Sequence, residues 1–151
     1  MAEDLPTVRL DDDALHAANL IARRRLPGVV VVDGGSGRPV AVLPGSQVLR
    51  FIVPYYVQED PSLAAVFDER TADQCAASLR GQTVRELLPH ESKRTELAMV
   101  DGDATAIECA AVMVRLRSPL LVVADGDTVH GVLTASHLLE ILLPAADSGP
   151  A

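Results

Sequence analysis

The residues best placed to do chemistry lie in one short stretch, Gly131-Val132-Leu133-Thr134-Ala135-Ser136-His137. An apolar run ends there and a Leu-rich helical pattern begins, so the hydroxyls of Thr134 and Ser136 fall at a strand-to-helix junction. Such hydroxyls can cap the helix by accepting a first-turn N–H. Together with unpaired first-turn N–H groups they can equally form an anion site. Both readings stay open at this point. A second junction, Ala41-Val42-Leu43-Pro44-Gly45-Ser46-Gln47, has the same form. There Pro44 removes a hydroxyl and an N–H donor, so this cleft should hold phosphate more weakly.

Other motifs carry less. Gly34-Gly35-Ser36-Gly37-Arg38-Pro39 looks like a phosphate loop, but no Lys-Ser/Thr follows and it opens a strand, so it reads as a turn. Asp101-Gly102-Asp103 starts like a calcium loop, yet the twelfth position is Val112 rather than Glu. His16, His90, His130 and His137 have no pairing at metal-ligand spacing, and Cys75 and Cys109 add none. No Ser or Cys sits in a nucleophile elbow, and no carboxylate pair accompanies a base. The chain reads as non-catalytic, with no metal and no required cofactor.

The elements that position these junctions occur twice. Residues 8–34 laid on 100–126 give 11 identities in 27 positions, and 41–54 laid on 131–144 give five more in 14. The offset changes by two between Gly34 and Ala41, where a length change belongs in a turn. Each copy has a short extended piece, an acidic start and an amphipathic helix, with Ile107, Ala110, Ala111 and Val114 on one face in the second copy. The helix stops before Pro27 or Pro119. Val29–Val32 or Leu120–Ala124 then reads as a strand buried on both faces. A hairpin returns a second strand, and a final helix ends at Pro54 or Pro144. The unit is β-α-β-β-α. Alone it would expose apolar surface, and two copies packed about a pseudo-twofold axis bury it and create two equivalent clefts.

The map is a first repeat at 5–54, a helical linker at 55–82, a second repeat at 83–144 and a disordered tail at 145–151. In the linker, Asp60 is an N-cap with Pro61 following. Leu63, Val66, Phe67, Cys75 and Leu79 recur at helical spacing up to Gly81. Thr83 and Glu86 have capping-box spacing. All four aromatics, Phe51, Tyr55, Tyr56 and Phe67, read as packing or subunit-interface residues.

Composition excludes several classes. Of the hydrophobic residues, 60 are Ala, Leu or Val and there is no Trp, which rules out a disordered chain and disfavours base stacking. The net charge of −8 comes from residues 1–13 and 58–74, which would repel a nucleic acid. Arg23-Arg24-Arg25 reads as a solvated last helical turn. No apolar stretch is long enough to insert in a membrane, and no signal peptide or disulfide framework is present, so a cytoplasmic protein is expected.

The twofold repeat, the strand entry Arg117-Ser118-Pro119-Leu120-Leu121-Val122-Val123, the Gly131–Thr134 strand end and the entry segment Thr83–Leu88 resemble a tandem pair of cystathionine-β-synthase (CBS) domains. The arrangement is similar to small stand-alone bacterial CBS-pair proteins. The resemblance implies an α+β fold and a homodimeric regulatory module that binds an adenosine-containing ligand (AMP, ADP, ATP or S-adenosylmethionine) between repeats. It places Thr134 and Ser136 on phosphate, His137 on ribose, and Val100, Pro119 and Leu120 around the base, with Gly131 at the strand end. Pro27, Ser46 and Gln47 form the weaker second cleft. The Asp that holds ribose in ligand-binding members is replaced here by His137 and Gln47, which hydrogen-bond without a full charge. A nucleotide-independent module that docks on a transporter or enzyme partner is the alternative.

Overall fold

The structure, a computed structural model, describes residues 6–89 and 97–144. The expected tail at 145–151, like His90, lies outside them. The first repeat runs β1 (Thr7–Arg9), α1 (Ala14–Arg24), β2 (Gly28–Val32), β3 (Pro39–Pro44) and α2 (Gly45–Ile52). The connecting segment holds α3 (Tyr55–Glu59), a 3₁₀ turn (Pro61–Val66), α4 (Glu69–Ala77) and α5 (Val84–Leu87). The second repeat is β4 (Met99–Val100), α6 (Ala106–Leu116), β5 (Leu120–Asp125), β6 (Thr128–Thr134) and α7 (Ala135–Leu142).

Each repeat forms a three-stranded sheet, with the first strand parallel to the second and the third antiparallel to it. The central strands are buried on both faces because alternate residues serve different layers. Val29 and Val31 face α1 and α2, while Leu121 and Val123 face α6 and α7. Val30 and Val32 of one sheet meet Leu120, Val122, Ala124 and Val132 of the other in a dry seam. This seam is the burial that neither repeat could achieve alone. The entry segment lies outside this seam: its Val84, Leu87 and Leu88, with Leu79 of the linker, pack into the first repeat's helical core.

The helix boundaries follow local chemistry. Asp13 caps α1 by accepting the Leu15 N–H at 3.0 Å, and Thr105 caps α6 in a box with Glu108. The N–H and hydroxyl of Thr83 donate to Glu86 at 3.2 and 3.1 Å, as the spacing predicts. Both long helices end on an arginine in the left-handed region, Arg25 at φ 52° and Arg117 at φ 50°. A side chain there costs about 1–2 kcal/mol, whereas glycine pays mainly chain entropy. Arg117→Gly should therefore stabilise the protein by roughly 0.5–1 kcal/mol in urea unfolding. A loss of stability would show that guanidinium contacts outweigh the backbone term.

Two expectations are corrected. The linker is not one helix. Asp60 caps a 3₁₀ turn through Ser62, the chain is extended at Phe67, and Asp68 starts α4 by accepting the amide and then the hydroxyl of Thr71, which hold its carboxyl below the usual range. Of the five spaced apolar positions only Leu79 is buried, Phe67 and Cys75 are half-buried, and Leu63 and Val66 are exposed. The second correction concerns α6. Cys109 and Met113 face the core, while Ile107 and Val114 are 67% and 77% exposed. A helix this apolar carries two stripes, and periodicity alone does not say which one the sheet takes.

Candidate functional site

The pairing of Leu120 with Thr134 puts the start of β5 against the end of β6. Pro119, Leu120, Thr134, Ser136 and His137 thus converge at one end of the second sheet. Thr134 Oγ1 accepts the His137 N–H at 3.1 Å and lies 3.2 Å from Ser136 Oγ. The hydroxyl caps α7, and a second hydroxyl beside it remains exposed to solvent. The remaining first-turn N–H groups have no intrahelical acceptor. Leu120 is fully buried in the inter-sheet seam, whereas Pro119 is exposed. Ser118, a functional neighbour that residue type alone does not single out, accepts the Leu120 N–H and shapes this strand entry.

Val100 and Gly131 do not join this group. Both pair with Val123, three positions along the strand, or about 10 Å away. Val100 also packs toward the helical core rather than the seam.

In the first repeat, Gly28 pairs with Pro44, and the Pro27 carbonyl accepts the Gly45 N–H at 2.9 Å. Pro27, Ser46 and Gln47 therefore lie at the matching end of the first sheet. Pro44 offers no side-chain cap to α2, so this junction lacks the hydroxyl pair of the second. The Gln47 amide donates to the Leu87 carbonyl at 3.0 Å, which ties α2 to α5 and occupies one of its donors.

The opposite end of the first sheet holds a polar feature that sequence reasoning dismissed. The Gly34–Gly37 turn, with Thr7, Arg9, Asp33 and Val129 of the other repeat, lines a cavity of about 460 Å³. The amide and hydroxyl of Ser36 hold the Asp33 carboxyl below its usual range, which stabilises the turn in the ionised state. Gly37 needs its glycine, with φ at 76°. This turn is two residues longer than its counterpart, a difference visible in the repeat alignment.

Two further reactive groups lie in the second repeat. His130 contacts Asp125 at 2.6 Å on the second hairpin. Burial first, and the Glu108 charge second, push the Cys109 thiol up, so it stays protonated at neutral pH.

The family model described as CBS domain matches residues 1–54 and again 84–144. The chain belongs to the CBS-domain family. A CBS-domain protein of Kribbella flavida is 55% identical, with a TM-score of 0.79 over 93% of this chain and 94% of that one. The CBS domain of a Sphaerobacter thermophilus membrane protein is 20% identical, with a TM-score of 0.69 over 93% of this chain and 83% of that one. CBSX2, a CBS-pair protein of Arabidopsis thaliana solved in complex with AMP, is 17% identical, with a TM-score of 0.61 over 91% of this chain and 86% of that one. The last two share the fold. No curated protein matches the sequence. The CBS pair is thus an α+β assembly of two repeats. Among its described residues no helix is long and apolar enough to cross a membrane.

Proposed function

We propose that this CBS pair is a non-catalytic regulatory module that senses an adenosine-containing ligand in the second-repeat cleft. The observation that carries the reading is the convergence of the Thr134 and Ser136 hydroxyls, 3.2 Å apart, on the open first turn of α7 beside Pro119. Hydroxyls and first-turn amides in that geometry suit phosphate or sulfonium-linked carboxylate. In this reading His137, in the first turn of α7, hydrogen-bonds a ribose hydroxyl group. The AMP complex of CBSX2 shows that the fold can take such a ligand in that protein. The first cleft, with Pro44 as helix cap and Gln47 turned to Leu87, is the weaker one. No further cofactor is required. The module works as a cytoplasmic homodimer.

Titration calorimetry with AMP, ADP, ATP and S-adenosylmethionine tests the reading. At least one should bind more tightly than millimolar, and Ser136→Ala should weaken it about 5-fold, the effect of one hydrogen bond. Thr134→Ser should keep both cap and affinity, whereas Thr134→Ala loses affinity and about 1 kcal/mol of stability together. Absence of binding by all four ligands overturns it. The observation that favours the alternative is that His137 and Gln47 leave both clefts without a ribose carboxylate, and that the Gln47 amide is turned to Leu87. In that case the module acts by docking on a transporter or enzyme without a nucleotide.

A further inference from the structure

The hairpin ends of the two sheets carry their charges differently. In the second repeat His130 contacts Asp125 at 2.6 Å, and Asp101 accepts the Asp103 N–H at 3.0 Å. The repeat alignment puts Arg9 at the position of Asp101, Asp33 at that of Asp125 and Val40 at that of His130. The first hairpin thus keeps the carboxylate without its basic partner and has a guanidinium in place of the second acid. Arg9 and Asp33 line the same cavity, yet among the described residues neither takes part in an ion pair.

Local structure fixes both groups. The Arg9 N–H donates to Asp12 Oδ2 at 2.8 Å at the end of β1. The arginine stem runs over the turn, since a Cβ at Gly34 would stand 3.6 Å from Arg9 Cδ. The Ser36 amide and hydroxyl both donate to Asp33 Oδ2, at 3.1 and 3.0 Å, which leaves Oδ1 for another donor. Thr7 adds a hydroxyl, while buried Val32 and half-buried Val129 supply apolar wall. The volume, about 460 Å³, lies within the roughly 300–1,000 Å³ of small-molecule sites. Val32 is four strand positions from Gly28, so the cavity stands about 13 Å from the sheet end that holds Pro27, Ser46 and Gln47.

We infer that this cavity is a separate site for a free α-amino acid with an aliphatic side chain, its carboxylate on Arg9 and its ammonium on Asp33. The charges select that class. A guanidinium takes a carboxylate through two parallel N–H groups, and an ionised carboxylate takes an ammonium. A polyanion would meet the Asp33 charge and a simple cation the Arg9 charge, so each is repelled by one half of the site. A zwitterion satisfies both halves at once. The Val32 and Val129 walls remove the aliphatic side chain from water, while Thr7 offers a hydroxyl to the carboxylate. The second repeat cannot form the same site, because its Asp125 is taken by His130 and it has no cation at position 101. The inference goes beyond nucleotide sensing and does not rest on it.

Titration of the isotope-labelled full chain, followed by amide NMR, tests it. L-Leucine should bind with a dissociation constant of about 1 mM or tighter, shifting the amides of Gly34, Gly35 and Gly37 and leaving Ser136 and His137 unmoved. The compounds 4-methylpentanoate and 3-methylbutylamine, each lacking one of the two charges, should bind at least about 10-fold more weakly. Arg9→Ala and Asp33→Asn should each weaken L-leucine about 10-fold, and asparagine can still accept the Ser36 bonds that hold the turn. Gly34→Leu, whose Cβ has room beside Arg9, should fill the cavity and abolish binding with the melting temperature unchanged. No response to L-leucine at about 10 mM overturns the site. Equal binding of 4-methylpentanoate, or full binding by Arg9→Ala, overturns the assignment to a zwitterion. AMP is titrated separately: its failure to shift Ser136 and His137 counts against the nucleotide reading and leaves this site standing.

Discussion

Val122→Asp should lower the stability of the whole protein by about 4 kcal/mol or more, a large share of what a domain of this size has. Val122 is fully buried at the centre of β5, paired to Met99 on one side and Val132 on the other, and its side chain lies in the inter-sheet seam. The seam contains only Val, Leu and Ala, so a carboxylate there would find neither a cation nor a donor. Val122→Ala, which removes volume without adding charge, should cost about 2 kcal/mol. Val66→Asp, at a site 84% exposed, should stay within about 0.5 kcal/mol. Urea unfolding followed by circular dichroism reads all three. The seam also makes the two repeats one cooperative unit, so the transition should remain single. Two separate transitions, with only the second repeat shifted by Val122→Asp, would refute that coupling.

Gly28→Ala should cost roughly 2–3 kcal/mol, and Gly28→Leu should prevent folding. A Cβ at Gly28 would stand 2.6 Å from the Leu43 carbonyl oxygen and 3.0 Å from Pro44 Cα. Both are backbone atoms of the paired strand β3, held by the ladder on one side and α2 on the other. They cannot swing away as a side chain could. The contrast with the other repeat sharpens the test. Its equivalent position is Leu120, fully buried and paired with Thr134. The converse substitution Leu120→Gly should therefore leave a cavity in the seam rather than relieve a clash. Thermal unfolding of Gly28→Ala compared with Gly34→Ala, whose Cβ would meet only the Arg9 side chain at 3.6 Å, separates the clash from the general effect of replacing glycine. Equal melting temperatures for the two would remove the close approach as the reason for glycine.

Much of the fold was legible because its signals are local and occur twice. The unbroken valine run at 29–32 could only be a strand covered on both faces, and the structure buries every residue of it. Prolines 27 and 119 marked where the long helices stop, and the capping box at Thr83 marked a short one. The spacing of Thr105 and Glu108 carries the same signal, and α6 starts there. The linker was misjudged because a helical period in Leu63, Val66 and Phe67 says nothing about whether a surface exists to receive it. Without burial, Asp60 and Asp68 impose their own starts, and the segment divides.

The candidate site divides in the same way. The strand-to-helix junctions, their hydroxyls and the loss of a donor at Pro44 could be read from residue types and spacing. Their assembly could not. Sequence proximity placed Gly131 with Thr134, but strand rise carries them apart. Register decides instead that Pro119 and Leu120, fourteen or more positions earlier, stand beside Thr134.

By itself the sequence determined the repeated β-α-β-β-α unit, its helix stops, its turn lengths and its chemical asymmetry, since each depends on backbone preferences acting over a few residues. The tertiary structure alone decided which stripe of α6 meets the core, which glycine admits no side chain, and which junction residues share one end of a sheet. Those outcomes depend on strand register and on the surfaces that two folded repeats offer each other, and neither exists until the chain has packed.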